Sequence, residues 1–508
     1  MNAHLPPPLI PENAPFSPAQ RAWLNGFFAG LLSSDGQAAS AAGLATPVGP
    51  GHAAPVEDDG DYPWHDPAIE LDERLELADG RAFDLKLMAA MGQLDCGQCG
   101  YDCRDYARKI ADGSEGQLNL CVPGGRSTQR ALKRLLAETG DVAPAVEPPA
   151  APTSGRPEAV LASFKAADRL TAASSDKDVR HVVIDLAGTD LDYVPGDSLG
   201  VHATNDPALV EAIAARLDGL SEVEALTQER DLRTVTEPLL RLMADHAGLA
   251  EAATLKALAD ADDDSLDEDD VLDVLERFPS ARPPARSFVD TLDALQPRLY
   301  SISSSPRRHG REVHLTIAVT RTDKDARLRN GVASTFFAER IAPGTPIRVY
   351  RQAAHDFALP ESGATPIVMV GPGTGIAPFR AFLEERAETG ASGPAWLFFG
   401  NPHEATDYLY RDELEAFREA GTLTRLDVAF SRDQAAKVYV QDRIREGGAR
   451  LWRWLQERAH VYVCGDAKRM AKDVDDALAD VAATHGGEDG RAFLKSLAAA
   501  GRYQRDVY

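Results

Sequence analysis

The sequence predicts a multidomain chain: a small cysteine-bound module, a strand-rich domain carrying a helical insertion, and a C-terminal α/β domain with a doubly wound parallel sheet. Three observations predict it. The 508 residues are too many for one hydrophobic core. Four of the five cysteines fall between positions 96 and 121. From 361 to 508, apolar strand-like runs alternate with helical patterns after a Gly-rich turn.

The hydrophobic content of 44% and charged content of 26% are those of a globular protein. The formal net charge of −25 argues against nucleic acid and anionic membrane surfaces, and suits a docking face for a basic partner. No segment reaches 18 apolar residues, and the start M-N-A-H-L-P-P-P lacks a basic region followed by an apolar core. Neither a membrane span nor a signal peptide is read. An odd number of closely grouped cysteines does not make a disulfide framework and reads as metal ligands in a reducing cytoplasm.

In order, residues 1–60 are read as a leader and linker: Ser17-Pro18 caps a helix through the apolar run Ala22–Leu32, and Ala-, Gly- and Pro-rich sequence follows. Residues 61–142 hold Cys96, Cys99, Cys103 and Cys121: C-x-x-C, three residues, a third cysteine, seventeen residues, a fourth. Thiolates bind soft metals, and this spacing lets a short loop wrap one side of a cluster while a distant ligand closes it. Gly97 and Gly100 allow the close backbone approach that such a wrap needs. Zinc is the rival reading, although structural zinc sites usually pair two C-x-x-C knuckles. Residues 143–157 include five prolines and form an extended tether, reaching roughly 45 Å at about 3 Å per residue.

Residues 158–360 open with a strand alternating at Val182, Ile184 and Leu186, and Tyr193–Gly200 turns out of the next. From about 206 to 290 the pattern is helical, and its acidic run Ala259–Asp270 is read as a solvated face. The stretch Pro297–Ser305, P-R-L-Y-S-I-S-S-S, puts Arg298, Tyr300 and Ile302 on one face of a strand. A guanidinium that forks onto phosphate, a ring that covers a ring and the Ser301 hydroxyl suit a planar, phosphorylated ligand; an ordinary strand ending in a Ser-rich turn is the plain alternative. After the strand His314–Thr320, Gly331 opens a helix whose N–H groups suit a pyrophosphate. In the last domain, 361–508, the strand Pro366–Val370 runs into G-P-G-T-G, where a phosphate can approach the backbone.

R-L-Y-S, G-V-A-S, G-P-G-T-G, L-F-F-G, A-F-S-R-D-Q, K-V-Y-V-Q, V-Y-V-C-G-D and the closing R-Y-Q-R-D-V-Y occur in an order that resembles the ferredoxin–NADP reductase superfamily. Within it the chain is similar to the diflavin reductases and sulfite reductase flavoprotein alpha subunits, whose leader the string P-F-S-P-A-Q-R-A-W-L-N-G-F-F also resembles. The cysteine string resembles a small four-cysteine 4Fe-4S domain, with three residues where that family commonly has four between the second and third cysteines. A second departure follows Gly400, where Asn401-Pro402-His403 replaces the cysteine and arginines of the diflavin pattern.

The resemblance implies an antiparallel β-barrel FAD domain with a helical insertion, a doubly wound NADP domain, and an iron–sulfur module in the place of an FMN domain. It implies that Arg298, Tyr300, Ser301, Thr316, Ala318, Gly331, Val332, Ala333 and Ser334 hold FAD. Gly371, Gly373, Thr374, Gly375, Ser431, Arg432, Lys437, Tyr439, Gln441 and Asp466 would hold NADPH, with Ser431, Arg432, Lys437 and Tyr439 on its 2′-phosphate. Ser301, Cys464 and Asp506 would serve hydride transfer, and Tyr508 would shield the flavin ring. Electrons would pass from NADPH to FAD, to a 4Fe-4S cluster on the four cysteines, and to a separate acceptor. The implied acceptor is the sirohaem protein of assimilatory sulfite reductase; an assimilatory nitrate or nitrite reductase is the alternative. From a different class, a zinc-stabilised redox-sensing interaction protein could retain the same fold.

Overall fold

A computed structural model describes residues 62–138 and 157–508, apart from 218–220, 262–264, 267, 325–326 and 355. The leader helix and the Pro-rich tether lie outside the described residues. The cysteine module is built from helices Leu71–Leu77, Phe83–Ala89, Cys103–Ala111 and Gly125–Glu138. Trp64, Leu85, Leu87, Tyr106 and Leu132 form its own core. Asp102 starts the third helix by accepting from the Asp105 N–H at 2.6 Å. Tyr106, Ala107 and Ile110 then fall on its buried face.

Strands β1 (Val160–Arg169), β2 (Val179–Asp185), β3 (Ser198–His202), β4 (Arg298–Ser301) and β5 (Glu312–Ala318) follow. The hairpin β6 (Arg321–Lys324) and β7 (Arg327–Asn330) then leads to β8 (Pro346–Gln352). Six of these form one sheet in the order β4-β3-β8-β1-β2-β5. Every neighbouring pair is antiparallel. Val182 and Ile184 alternate onto the core side of β2, against Phe164, Leu199 and Leu315. The edge strands β4 and β5 meet through an antiparallel bridge between Ile302 and Leu315.

Between β3 and β4, helices from Pro207 to Asp290 gather around a separate core that includes Ile213, Leu239, Met243, Leu255 and Phe288. The acidic run corrects the sequence reading at its C-terminal end. Asp269 and Asp270 are 3% and 1% exposed. Asp270 caps helix Val271–Arg277 by accepting from the Asp273 N–H at 3.0 Å, and Asp273 accepts in return from the Asp270 N–H at 2.8 Å. Asp270 also meets Arg327 at 2.5 Å and Arg233 at 3.5 Å. Asp269 pairs with Lys324 at 2.5 Å and Arg277 at 2.6 Å. Two of these cations come from the β6–β7 hairpin, more than 50 residues on, so a local charge count reads the run as solvated. Asp270→Ala would strip the cap and take a buried carboxylate from beside Arg327 and Arg233, while Arg327 keeps Asp273; a loss of about 2–4 kcal/mol is expected, read as a lower denaturant midpoint.

The C-terminal sheet contains β9 (Ile367–Val370), β10 (Ala395–Asn401), β11 (Arg425–Phe430), β12 (His460–Gly465) and β13 (Tyr503–Val507). Its order is β11-β10-β9-β12-β13 and all its pairs are parallel. β9 and β10 are buried throughout, as continuous apolar runs covered on both faces must be. The connection direction reverses beside β9, so a ligand crevice is expected beyond the C-terminal ends of β9 and β12. Among the described residues, no helix is long and apolar enough to cross a membrane.

Candidate functional site

That crevice brings together Ser301, Cys464, Asp506 and Tyr508. β12 and β13 pair in register at Cys464 and Asp506, which places these side chains next to each other. The Ser301 hydroxyl, at the end of β4, donates to Asp506 Oδ2 at 2.5 Å. The Cys464 thiol points at the same oxygen from 3.6 Å. Burial and the neighbouring carboxylate push the Cys464 thiol well up, so it sits there as a neutral group. Burial also raises Asp506, while the Ser301 and Cys464 hydrogen bonds pull it back. Tyr508 is fixed by its own N–H on Gly465 O at 3.0 Å and by its hydroxyl, 2.9 Å from Thr374 Oγ1.

Thr374 reaches that position because the Gly-rich turn lies hard against β12. A Cβ on Gly375 would stand 2.1 Å from the Cys464 carbonyl oxygen, so only glycine fits there. A cavity of about 1230 Å³ opens above these residues, lined by Tyr300, Ser301, Thr316, Ala318, Thr374 and Tyr508. Arg298 stands half-buried on the same strand, and Tyr300 meets the edge of Phe337 at 6.2 Å. A ring and a hydroxyl on the wall of a cavity of this size, with a cation on the same strand, fit a flavin dinucleotide.

The other assigned residues are used in more local ways. Val332 and Ala333 pack into the core of the antiparallel sheet, and the Ser334 hydroxyl accepts from the Thr320 N–H at 3.1 Å. Asp466 caps the following helix, accepting from Arg469 N–H at 2.7 Å and Met470 N–H at 3.1 Å. Gln441 donates to Asp473 at 3.0 Å. Arg432, Lys437 and Tyr439 are exposed, and Ser431 is half-buried beside them. No motif points to Lys177, yet its ammonium donates to Asn401 Oδ1 at 3.0 Å, from the β1–β2 connection into this corner. Burial and the Arg432 cation hold it below its ordinary value.

The four cysteines line one small cavity with Leu94, Tyr101, Tyr106 and Pro123. Gly97 and Gly100 take φ of +65° and +97°, which the wrapped loop needs. Gln93 and Asp95 also hold positive φ, at 59° and 44°, just before the first cysteine. Asp95 spans the loop, accepting from the Cys103 N–H at 2.8 Å and meeting His65 at 2.7 Å. Burial pushes Cys96 up to about 12, and Cys103 and Cys121 up as well. Such thiols become thiolates when a metal supplies the compensating charge. Among the described residues no three His, Cys, Asp or Glu side chains gather closely enough for a single ion. A cluster of several irons is wider than a single ion and takes ligands set further apart.

The cysteine loop abuts the antiparallel sheet. Gln98 donates to Pro297 O, directly before β4, at 2.6 Å, and Asn119 donates to Asp293 at 2.7 Å. Asp66 lies 3.7 Å from Arg505 on β13. Leu94, Cys96 and Gln98 therefore line the same cavity as Tyr300 and Ser301. Sequence spacing alone carries no signal for this contact.

Three family models match the chain: an Fe-S cluster family over 92–123, an FAD binding domain over 155–244 and 223–336, and an oxidoreductase NAD-binding domain over 369–476. A sulfite reductase (NADPH) flavoprotein alpha-component of Neisseria meningitidis serogroup C is 44% identical over 439 residues, covering 79% of this chain and 70% of that protein. Its namesake from Photorhabdus laumondii is 43% identical over 377 residues, covering 69% and 60%. Another from Yersinia pestis is 45% identical over 368 residues, with the same two shares. The chain thus spans between 60% and 70% of the length of these relatives. With its FAD-binding, NAD-binding and iron–sulfur domains, the chain belongs to the family of sulfite reductase (NADPH) flavoprotein alpha-components.

Proposed function

We propose that this chain is an NADPH-dependent flavoprotein reductase that passes electrons from NADPH through FAD and a 4Fe-4S cluster to a separate haemoprotein of assimilatory sulfite reduction. The observation that carries this reading is the shared cavity: β4, the C-terminal Asp506 and Tyr508, and Cys96 of the cluster loop all line it. FAD accepts two electrons at once and releases them singly, which matches a hydride donor to a one-electron cluster.

The residues divide the work by position. Arg298 would take a flavin phosphate, Tyr300 would cover a ring face, and Ser301 would hydrogen-bond the flavin edge that receives hydride. Asp506 would supply a carboxylate to the positive charge that hydride transfer leaves on a nicotinamide, and Cys464 would lie beside it. Tyr508 would cover the flavin ring and give way to the nicotinamide. Gly371–Gly375 would admit the pyrophosphate, and Ser431, Arg432, Lys437 and Tyr439 would take the 2′-phosphate. One charge-assisted contact is worth about 1.5–3 kcal/mol, so Arg432→Ala should lower the preference for NADPH over NADH on the order of 10- to 100-fold. Steady-state kcat/KM with each cofactor checks it.

The test of the whole reading is an anaerobic NADPH titration followed in the visible spectrum, with iron and sulfide assayed. Bleaching of both the flavin bands and a broad cluster absorbance, with about four irons per chain, supports it. Flavin bleaching in a zinc-loaded protein would make the cysteine module a structural piece and overturn the route.

A further inference from the structure

We propose that Arg74 is the built-in counter-cation of the iron–sulfur cluster, a buried guanidinium that stabilises the reduced form and sets the cluster potential above that of the same site without it. The proposal rests on the four-cysteine site holding an iron–sulfur cluster. Arg74 lies 22 residues before Cys96, on helix Leu71–Leu77, outside the matched segment 92–123. Its side chain is buried, with the residue 8% exposed. One guanidinium nitrogen donates to Met91 O at 2.5 Å, and its Nε is buried with no hydrogen-bond partner.

Burying a cation is costly unless a compensating charge is near. The guanidinium reaches Cys121 through a single peptide group: it donates to the Met91 carbonyl, and Gly92 N–H donates to the Cys121 sulfur. A cluster held on the Cys121 sulfur would bring its negative charge to this side of Arg74. Four thiolates leave a ligated cluster net negative, and one electron makes it more so, so the attraction to a fixed cation grows on reduction.

A covalent path adds to the field. The carbonyl that receives Arg74 belongs to the Met91–Gly92 peptide, and the N–H of that same peptide donates to Cys121 Sγ at 3.2 Å. In a trans peptide the two groups point opposite ways, so guanidinium, peptide and thiolate form one aligned chain in which each hydrogen bond polarises the next. Gln93 Nε2 reinforces the arrangement by donating to the same carbonyl at 2.9 Å.

The experiment compares full-length wild type, Arg74→Gln and Arg74→Lys for iron, sulfide and FAD content, then titrates the cluster potential by its electron paramagnetic resonance signal. Arg74→Gln should keep its iron and shift the reduction equilibrium toward the oxidised cluster by tenfold or more, which is ~59 mV for one electron. Arg74→Lys should hold the potential close to wild type. An iron-loaded Arg74→Gln with an unchanged potential overturns the proposal. If Arg74→Gln loses iron while keeping FAD, a lysine variant that retains iron and potential supports the charge role. Loss of iron in both variants reduces Arg74 to a scaffold for Met91 and sinks it. Zinc in the wild type would instead overturn the cluster assignment, independently of Arg74.

Discussion

Replacing Asp506 with asparagine is expected to slow reduction of bound flavin by NADPH on the order of 10²- to 10³-fold, with flavin content unchanged. The substitution keeps the shape and the acceptor for the Ser301 hydroxyl, which now lies 2.5 Å away, and removes only the charge. The loss should thus fall on the step in which the nicotinamide becomes cationic, and single-turnover stopped-flow reads that step directly. A pH series adds a second readout. Burial raises Asp506 above its ordinary 3.8, so the carboxylate exists only above that raised value. The hydride-transfer rate should fall as pH drops through it, and the Asp506→Asn profile should be flat there. Stability runs the other way: a raised carboxyl favours the folded state while protonated, and that contribution is lost as pH climbs from 3.8 through the raised value. Activity at this residue is gained where folding free energy is given up.

Cys121→Ser is expected to abolish electron delivery to a haemoprotein while leaving NADPH reduction of FAD intact. A serine oxygen is a poor ligand for a soft metal, and Cys121 is the distant ligand, buried against Gly92 and Pro123. Iron should fall from about four per chain to near background. Ferricyanide, which takes electrons from flavin directly, should still be reduced; haemoprotein reduction should fall to background. Delivery to the haemoprotein at the wild-type rate would place the exit at FAD and remove the cluster from the path.

The parts of this molecule that were readable in its sequence are those whose cause is local. β9 and β10 announce themselves as unbroken apolar runs, the Gly371–Gly375 turn by its glycines, and the cluster loop by the spacing of its cysteines. β4 falls where Arg298 and Tyr300 alternate, although its four residues are all half-buried and Ile302 lies just past its end. What escaped reading depends on partners far away in the chain. Asp269 and Asp270 look like surface acids until the hairpin cations at Lys324 and Arg327 arrive beside them. Arg74 is one more charge on a short helix, and Lys177 one more lysine in a loop, until the fold sets each against a site. Asp466 shows the reverse case, since a residue placed in a motif also has a structural duty, here as a helix cap.

The contact from Gln98 to Pro297 spans 199 residues, and this has a consequence for biosynthesis. A ribosome adding about 5–20 residues per second needs roughly 10–40 s to travel that distance. Throughout that interval the nascent cysteine loop has no β4 to seal against. A cluster assembled in that interval would enter a loop that β4 has not yet reached. Filling the loop is then a matter of timing as much as of affinity.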